Sequence, residues 1–164
     1  MPSTNWDKSS LLRDEFRLRN PRVSLRRRGL TDLGTLGGTN SAALGVDNAG
    51  EIVGVSQTGG NRVRHAFLYR GAVMDDLGTL GGADSQADAI NSAGLVVGWA
   101  MTADGQRHAA LWHAGRIVDL NALAAIEFGA VLEEATAIND FGQIAANGSN
   151  GRAYLVMLPA EFRQ

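Results

Sequence analysis

Two histidines and three aspartates recur at matching places along this chain of 164 residues. His65 and His108 each open a short apolar run, and Asp32, Asp76 and Asp119 each precede a leucine. An imidazole beside a carboxylate can act as a general base or contribute to a metal site. The third recurrence weakens both readings, because Arg152 stands where the first two runs carry histidine and no symmetric metal cage can be assembled. A His–Asp pair repeated unit by unit reads instead as a hydrogen-bonded tie between strands. The chain has no cysteine, which excludes disulfides and thiolate metal sites. The sequence predicts no metal, no cofactor and no catalytic residue.

Other chemistry-bearing groups fare no better. Asp75–Asp76 and Glu133–Glu134 are paired carboxylates of the kind glycoside hydrolysis uses. Neighbours on a strand point to opposite faces, however, so neither pair can flank one bond. Gly54-Val-Ser56-Gln-Thr58 misses the final glycine of a nucleophile elbow. Asp32-Leu-Gly-Thr-Leu-Gly-Gly38 is rich in glycine, yet it lacks the Lys-Ser/Thr ending and the following helix of a phosphate loop. Asn147-Gly148-Ser149 fits the glycosylation sequon, a pattern common by chance.

The elements that must position these groups are repeated. The heptapeptide at residues 32–38 returns intact as Asp76–Gly82, and shorter echoes follow each copy at a period of about 45 residues. Each unit reads as short strands joined by glycine turns. In the first these are Ser41–Asp47, Glu51–Ser56, His65–Tyr69 and Val73–Leu77. The second has Ser85–Asn91, Leu95–Met101, Arg107–Trp112 and Arg116–Leu120, and the third Glu134–Asn139, Gln143–Asn147 and Ala153–Met157. Asp47, Asn91 and Asn139 open the first turn of each unit with a short polar side chain. Gly50, Gly94 and Gly142 close it, a place that needs positive φ. Ala43, Ala87 and Ala135 match one another, and side chains that small predict the close approach of another sheet. Their neighbours Ala42, Gln86 and Glu134 vary as solvent-facing positions do.

The motifs Asp32–Gly38, Val53-Gly54 and His65-Ala-Phe-Leu-Tyr69, repeated as Asp76–Gly82, Ile90-Asn91, Val96-Val-Gly98 and His108-Ala-Ala-Leu-Trp112, resemble the HAF-repeat proteins of bacteria. The third unit, with Asp119-Leu-Asn-Ala-Leu123, Ala137-Ile-Asn-Asp-Phe-Gly-Gln-Ile144 and Ala153-Tyr-Leu155, is similar to a closing repeat. The resemblance spans about residues 30–160. It implies an extracellular or cell-surface location and assigns no reaction. Without it, a cytoplasmic location is expected, since the N-terminal stretch lacks the apolar run of an export signal.

The expected fold is all-β, with tandem four-stranded antiparallel units arranged as propeller-like blades. A compact three-fold barrel of the trefoil type is the alternative. Residues 1–29 are expected to be a basic, disordered N-terminal segment, and units at about 30–73, 74–117 and 118–160 to make one repeat domain. That segment holds eight Lys or Arg against three acids, whereas the rest holds seven Arg against fourteen acids. It carries Phe16 as its only aromatic beyond Trp6, and Pro21 interrupts any long helix, so nucleic-acid binding is not favoured. A leading strand over Arg28–Leu33 beside Ala153–Met157 would bring the count to twelve and seal a ring. Open alternatives are a fragment of a longer repeat protein and a homodimer sharing one ring. The expected function is a non-enzymatic module that engages a protein or glycan through Arg62, Arg64, Asp104, Gln106 and Phe128, in loops that differ between units. A polysaccharide hydrolase on a propeller scaffold is the alternative. The turn assignment predicts that Gly94→Val lowers stability by about 1–3 kcal/mol, because a β-branched residue adopts positive φ at a cost. An unchanged thermal unfolding midpoint contradicts it.

Overall fold

The computed structural model describes residues 29–123 and 129–162. It is all-β, with eleven strands in three antiparallel sheets. Sheet 1 is a meander of β1 (Gly37–Val46), β2 (Ile52–Thr58), β3 (Arg64–Arg70) and β4 (Val73–Asp76). Sheet 2 repeats it with β5 (Gly81–Ile90), β6 (Val96–Thr102), β7 (Arg107–His113) and β8 (Arg116–Asp119). A single helical turn, α1 (Leu120–Leu123), precedes sheet 3, which comprises β9 (Leu132–Ile138), β10 (Gln143–Gly148) and β11 (Ala153–Met157). No helix among the described residues is long and apolar enough to cross a membrane.

The strands form where alternating apolar residues meet β-branched and aromatic ones, and the turns form where their side chains can replace lost backbone bonds. The Oδ1 of Asp47 accepts the N–H groups of Ala49 and Glu51, and Asn91 and Asn139 do the same for their own turns. Gly94 sits at φ +74° in the second turn, as expected. The heptapeptide is a folded connector from one sheet to the next. The Thr79 hydroxyl donates to the Gly82 carbonyl at 2.8 Å, Gly78 N–H donates to Asp76, and the Ser85 hydroxyl donates to Gly78. Gly81 needs positive φ (98°), and a Cβ on Gly82 would lie 2.5 Å from the Thr102 carbonyl oxygen.

The sheets stack face to face, and sheet 2 is covered on both sides. Toward sheet 1 it presents Ala87, Ile90, Val96, Ala110 and Trp112, against Val53, Ala66 and Leu68. On its other side Leu95, Val97, Ala109 and Leu111 pack against Ala135, Ile144, Ala146 and Leu158. A strand buried on two faces loses its polar alternation, and β7 has four consecutive buried residues, Ala109–Trp112. Ala87 and Ala135 are fully buried, as their size predicts, but Ala43 is exposed because sheet 1 ends the stack. Gln86 and Glu134 are half-buried rather than fully solvated.

Three further differences have physical causes. Residues 29–35 carry no strand, so the expected leading strand is absent from the described residues, Arg28 lying outside them. Gly29 and Thr31 stand where β4 and β8 have Val73 and Asp75 or Arg116 and Val118, and Gly34 turns the chain at φ +82°. Among the described residues no barrel closes, because each meander ends and the chain starts a new sheet, which overturns the trefoil alternative. The strand expected to reach Leu120 ends at Asp119, where Asn121 clamps β9 by accepting Leu132 N–H (2.7 Å) and donating to its carbonyl (3.0 Å).

The turns also hold sheet 2 to sheet 3. The Asn91 amide donates to the Asn139 carbonyl at 3.0 Å, and the Asp140 carboxylate accepts both the N–H (2.9 Å) and hydroxyl (3.1 Å) of Ser92. Asn91 is only 4% exposed. Asn91→Ala therefore strands two turn N–H donors and removes the bond to the Asn139 carbonyl, and is expected to cost about 1–3 kcal/mol in chemical denaturation. A loss below about 0.5 kcal/mol contradicts the clasp.

Candidate functional site

The histidines settle into the ties expected of them. His65 Nδ1 lies 2.8 Å from the Asp76 carboxylate, and His108 Nδ1 lies 2.6 Å from Asp119, each pair joining the third strand of a sheet to the fourth. Asp75 pairs with Arg70 at 3.6 Å and Glu134 with Arg107 at 2.6 Å, and the Arg107 guanidinium lies 4.4 Å from the Trp99 ring centroid. No group of three or more His, Asp or Glu among the described residues is arranged to hold a metal ion.

The loop residues singled out from the sequence lie at one end of the sheets. Arg62 is exposed in the β2–β3 loop. Arg64 begins β3, donates its backbone N–H to Asp84 (2.8 Å) and borders a shallow groove of about 230 Å³ with Asn40 and Gln57. Asp104 and Gln106 belong to the β6–β7 turn. There the Thr102 hydroxyl donates to Asp104, holding that carboxyl below its ordinary value, and Thr102 also exchanges bonds with the Gln106 backbone. Phe128 lies outside the described residues.

The larger cavity opens at the opposite end, between sheets 1 and 2. It is a cleft of about 480 Å³ bordered by Glu51, Arg70, Asp75, Asp76, Trp112 and Arg116, with Leu68 and Val96 at its base. Glu51 closes the β1–β2 turn, Arg70 ends β3, Asp75 lies on β4, and Arg116 begins β8. Trp112 is 3% exposed, and its indole N–H has no acceptor among the described residues. A buried donor without a partner is uncommon and calls for an explanation.

A second inter-sheet seam within the same molecule shows what the cleft lacks. Matching the turns and registers of the sheets sets Glu51 against Leu95, Asp75 against Val118 and Ala114 against Leu158. Between sheets 2 and 3, Leu95, Val118 and Leu158 join Leu120 and Ile144 in a closed apolar core. Between sheets 1 and 2 the same positions carry two carboxylates and a small residue, and the seam stays open. Three carboxylates and two guanidiniums leave the lining close to neutral. That arrangement suits a ligand with both hydroxyl donors and ether or hydroxyl acceptors, and not an anion.

Of the cleft residues, the sequence singles out only Asp75 and Asp76, as an adjacent carboxylate pair, and gives no site role to Glu51, Arg70, Trp112 or Arg116. The available signal was the departure from the apolar residue of the next unit at Glu51 and Asp75. No family model, curated protein or solved structure matches the chain.

Asp88 on β5 is a half-buried acid. Burial pushes its carboxyl above the ordinary 3.8, the Gln86 amide opposes this at 2.7 Å, the charge of Glu134 adds to it, and Arg107 opposes it. The native state therefore binds the proton more tightly than the unfolded chain, and ionised Asp88 costs stability at pH values above its folded pKa. Asp88→Asn keeps an acceptor for Gln86 and removes that cost. Its unfolding midpoint is expected to exceed that of the parent at pH 7, and the gap to close as pH falls through the raised Asp88 pKa toward 3.8. A gap independent of pH contradicts this account.

Proposed function

We propose that this protein is a non-enzymatic binding module that takes a neutral glycan in the cleft between sheets 1 and 2. The observation that carries the reading is the polar lining of one seam where the equivalent seam is filled by leucine and valine. An apolar seam closes by hydrophobic burial, so polar residues at Glu51 and Asp75 forgo that stabilisation unless they serve a ligand. The carboxylates accept from sugar hydroxyls and the guanidiniums beside them donate to sugar oxygens, and Trp112 supplies an apolar wall and a spare N–H donor. The stacked meanders support a propeller-like arrangement of blades. The likeness of the repeats to HAF-repeat proteins supports an extracellular or cell-surface location.

The test copies the closed seam into the open one. Glu51→Leu with Asp75→Val is expected to stabilise the fold by about 1 kcal/mol through added apolar burial, raising the midpoint by roughly 2–4 °C. In calorimetric titrations against a panel of neutral oligosaccharides, the parent is expected to show saturable binding that the double variant loses, with free phosphate failing to compete. A panel without a ligand, or a double variant that binds like the parent, overturns the reading.

A further inference from the structure

The stack of sheets ends on a face that the molecule covers wherever else it occurs. On the outward side of sheet 3, Ala137, Ala145, Ala153 and Leu155 hold the places of Ala89, Val97, Ala109 and Leu111 in sheet 2. In sheet 2 those residues are buried or packed against the next sheet, with Val97, Ala109 and Leu111 at 0% exposure. In sheet 1 the matching Val53, Ala66 and Leu68 are likewise buried beneath sheet 2. On sheet 3 the face is open, and Leu155 is 67% and Met157 50% exposed. At the other end of the stack, sheet 1 exposes Ala43 and Val46, the latter by 67%. Their counterparts in sheet 2, Ala87 and Ile90, are 0% and 9% exposed because sheet 1 covers them.

We propose that the outward face of sheet 3 docks against the front face of sheet 1 in a second copy of this chain, head to tail. The occupant follows from the molecule itself, since the same pair of faces already meets twice inside one chain, between sheets 1 and 2 and between sheets 2 and 3. The two free faces are the unmatched halves of a third such seam. A small residue at Ala43 admits the close approach that Ala87 and Ala135 make inside the chain, and Leu155 then meets the same kind of wall as Leu111. A head-to-tail contact closes into a ring if the rotation allows and otherwise extends. Two copies bring six sheets together, within the range in which blades close around an axis. This inference does not depend on what occupies the cleft.

The experiment is light scattering on the full chain over a concentration series, with one substitution on each face. The parent is expected to weigh twice the single chain or more. Val46→Asp spoils the front face and Leu155→Asp the back face, because each places an unpaired charge in an apolar seam. Each variant alone is expected to fall to the single-chain mass. An equimolar mixture is expected to regain a two-chain particle, since one partner contributes an intact back face and the other an intact front face. Circular dichroism checks that the variants fold, and Ala43→Glu with Met157→Lys provides a second pair should either fail to. A parent that stays at the single-chain mass throughout overturns the proposal. So does a two-chain particle that survives Val46→Asp but not Leu155→Asp, because that pattern means sheet 3 pairs with itself.

Discussion

With sheet 1 on one face and sheet 3 on the other, β7 runs through Ala109, Ala110, Leu111 and Trp112 without meeting solvent, and the neighbouring sheets are held through that doubly covered layer. Face-to-face packing at this closeness is possible because Ala87 and Ala135 present methyl groups to the opposing sheet. Larger residues there would force the sheets apart and open both cores at once. The Asn91 clasp, the Arg107–Glu134 pair and the clamp made by Asn121 fix the angle at which sheet 3 meets sheet 2. The cleft depends on the same layer. Its base is the apolar seam, and its mouth opens where Glu51 and Asp75 interrupt a pattern that closes elsewhere with leucine and valine.

Repetition separates structure from function in this chain. The His65–Asp76 and His108–Asp119 ties hold the third strand to the fourth in sheets 1 and 2, and the Asx turns recur in all three sheets, so these repeated groups are engaged in holding the strands together. Function is better sought where a unit departs from its neighbour. Glu51 against Leu95 and Asp75 against Val118 are such departures, and they fall on the same side of the same cleft.

Much of the fold was legible from local chemistry. All eleven strands lie where alternation and turn residues put them, because period-two patterning and Asx-Gly turns are properties of short segments. The early starts of β1 at Gly37 and β5 at Gly81 were not legible. The paired glycines that open both strands, with Asn40 in β1 and Ala83 and Asp84 in β5, are poor strand formers, and parallel bridges from Leu36 to Thr58 and Leu80 to Thr102 impose the extension from outside. The lack of a strand over residues 29–33 was hidden for a similar reason, since a strand needs a partner as well as a pattern. The site was the least visible part. Loops that vary between units drew attention to Arg62, Arg64, Asp104 and Gln106, whereas the cleft is formed at the opposite end by residues whose partnership exists only once two sheets are stacked. Asp88, half-buried near Gln86, Glu134 and Arg107, is another product of stacking that no local pattern could announce.

The most direct test of this account is native-state amide hydrogen exchange resolved strand by strand. If the doubly covered layer holds the molecule together, amides of β6 and β7 exchange most slowly and only through global unfolding, whereas β1 and β11 exchange faster through local opening. Protection in β11 equal to that of β7, or a separate early opening of sheet 2, contradicts it.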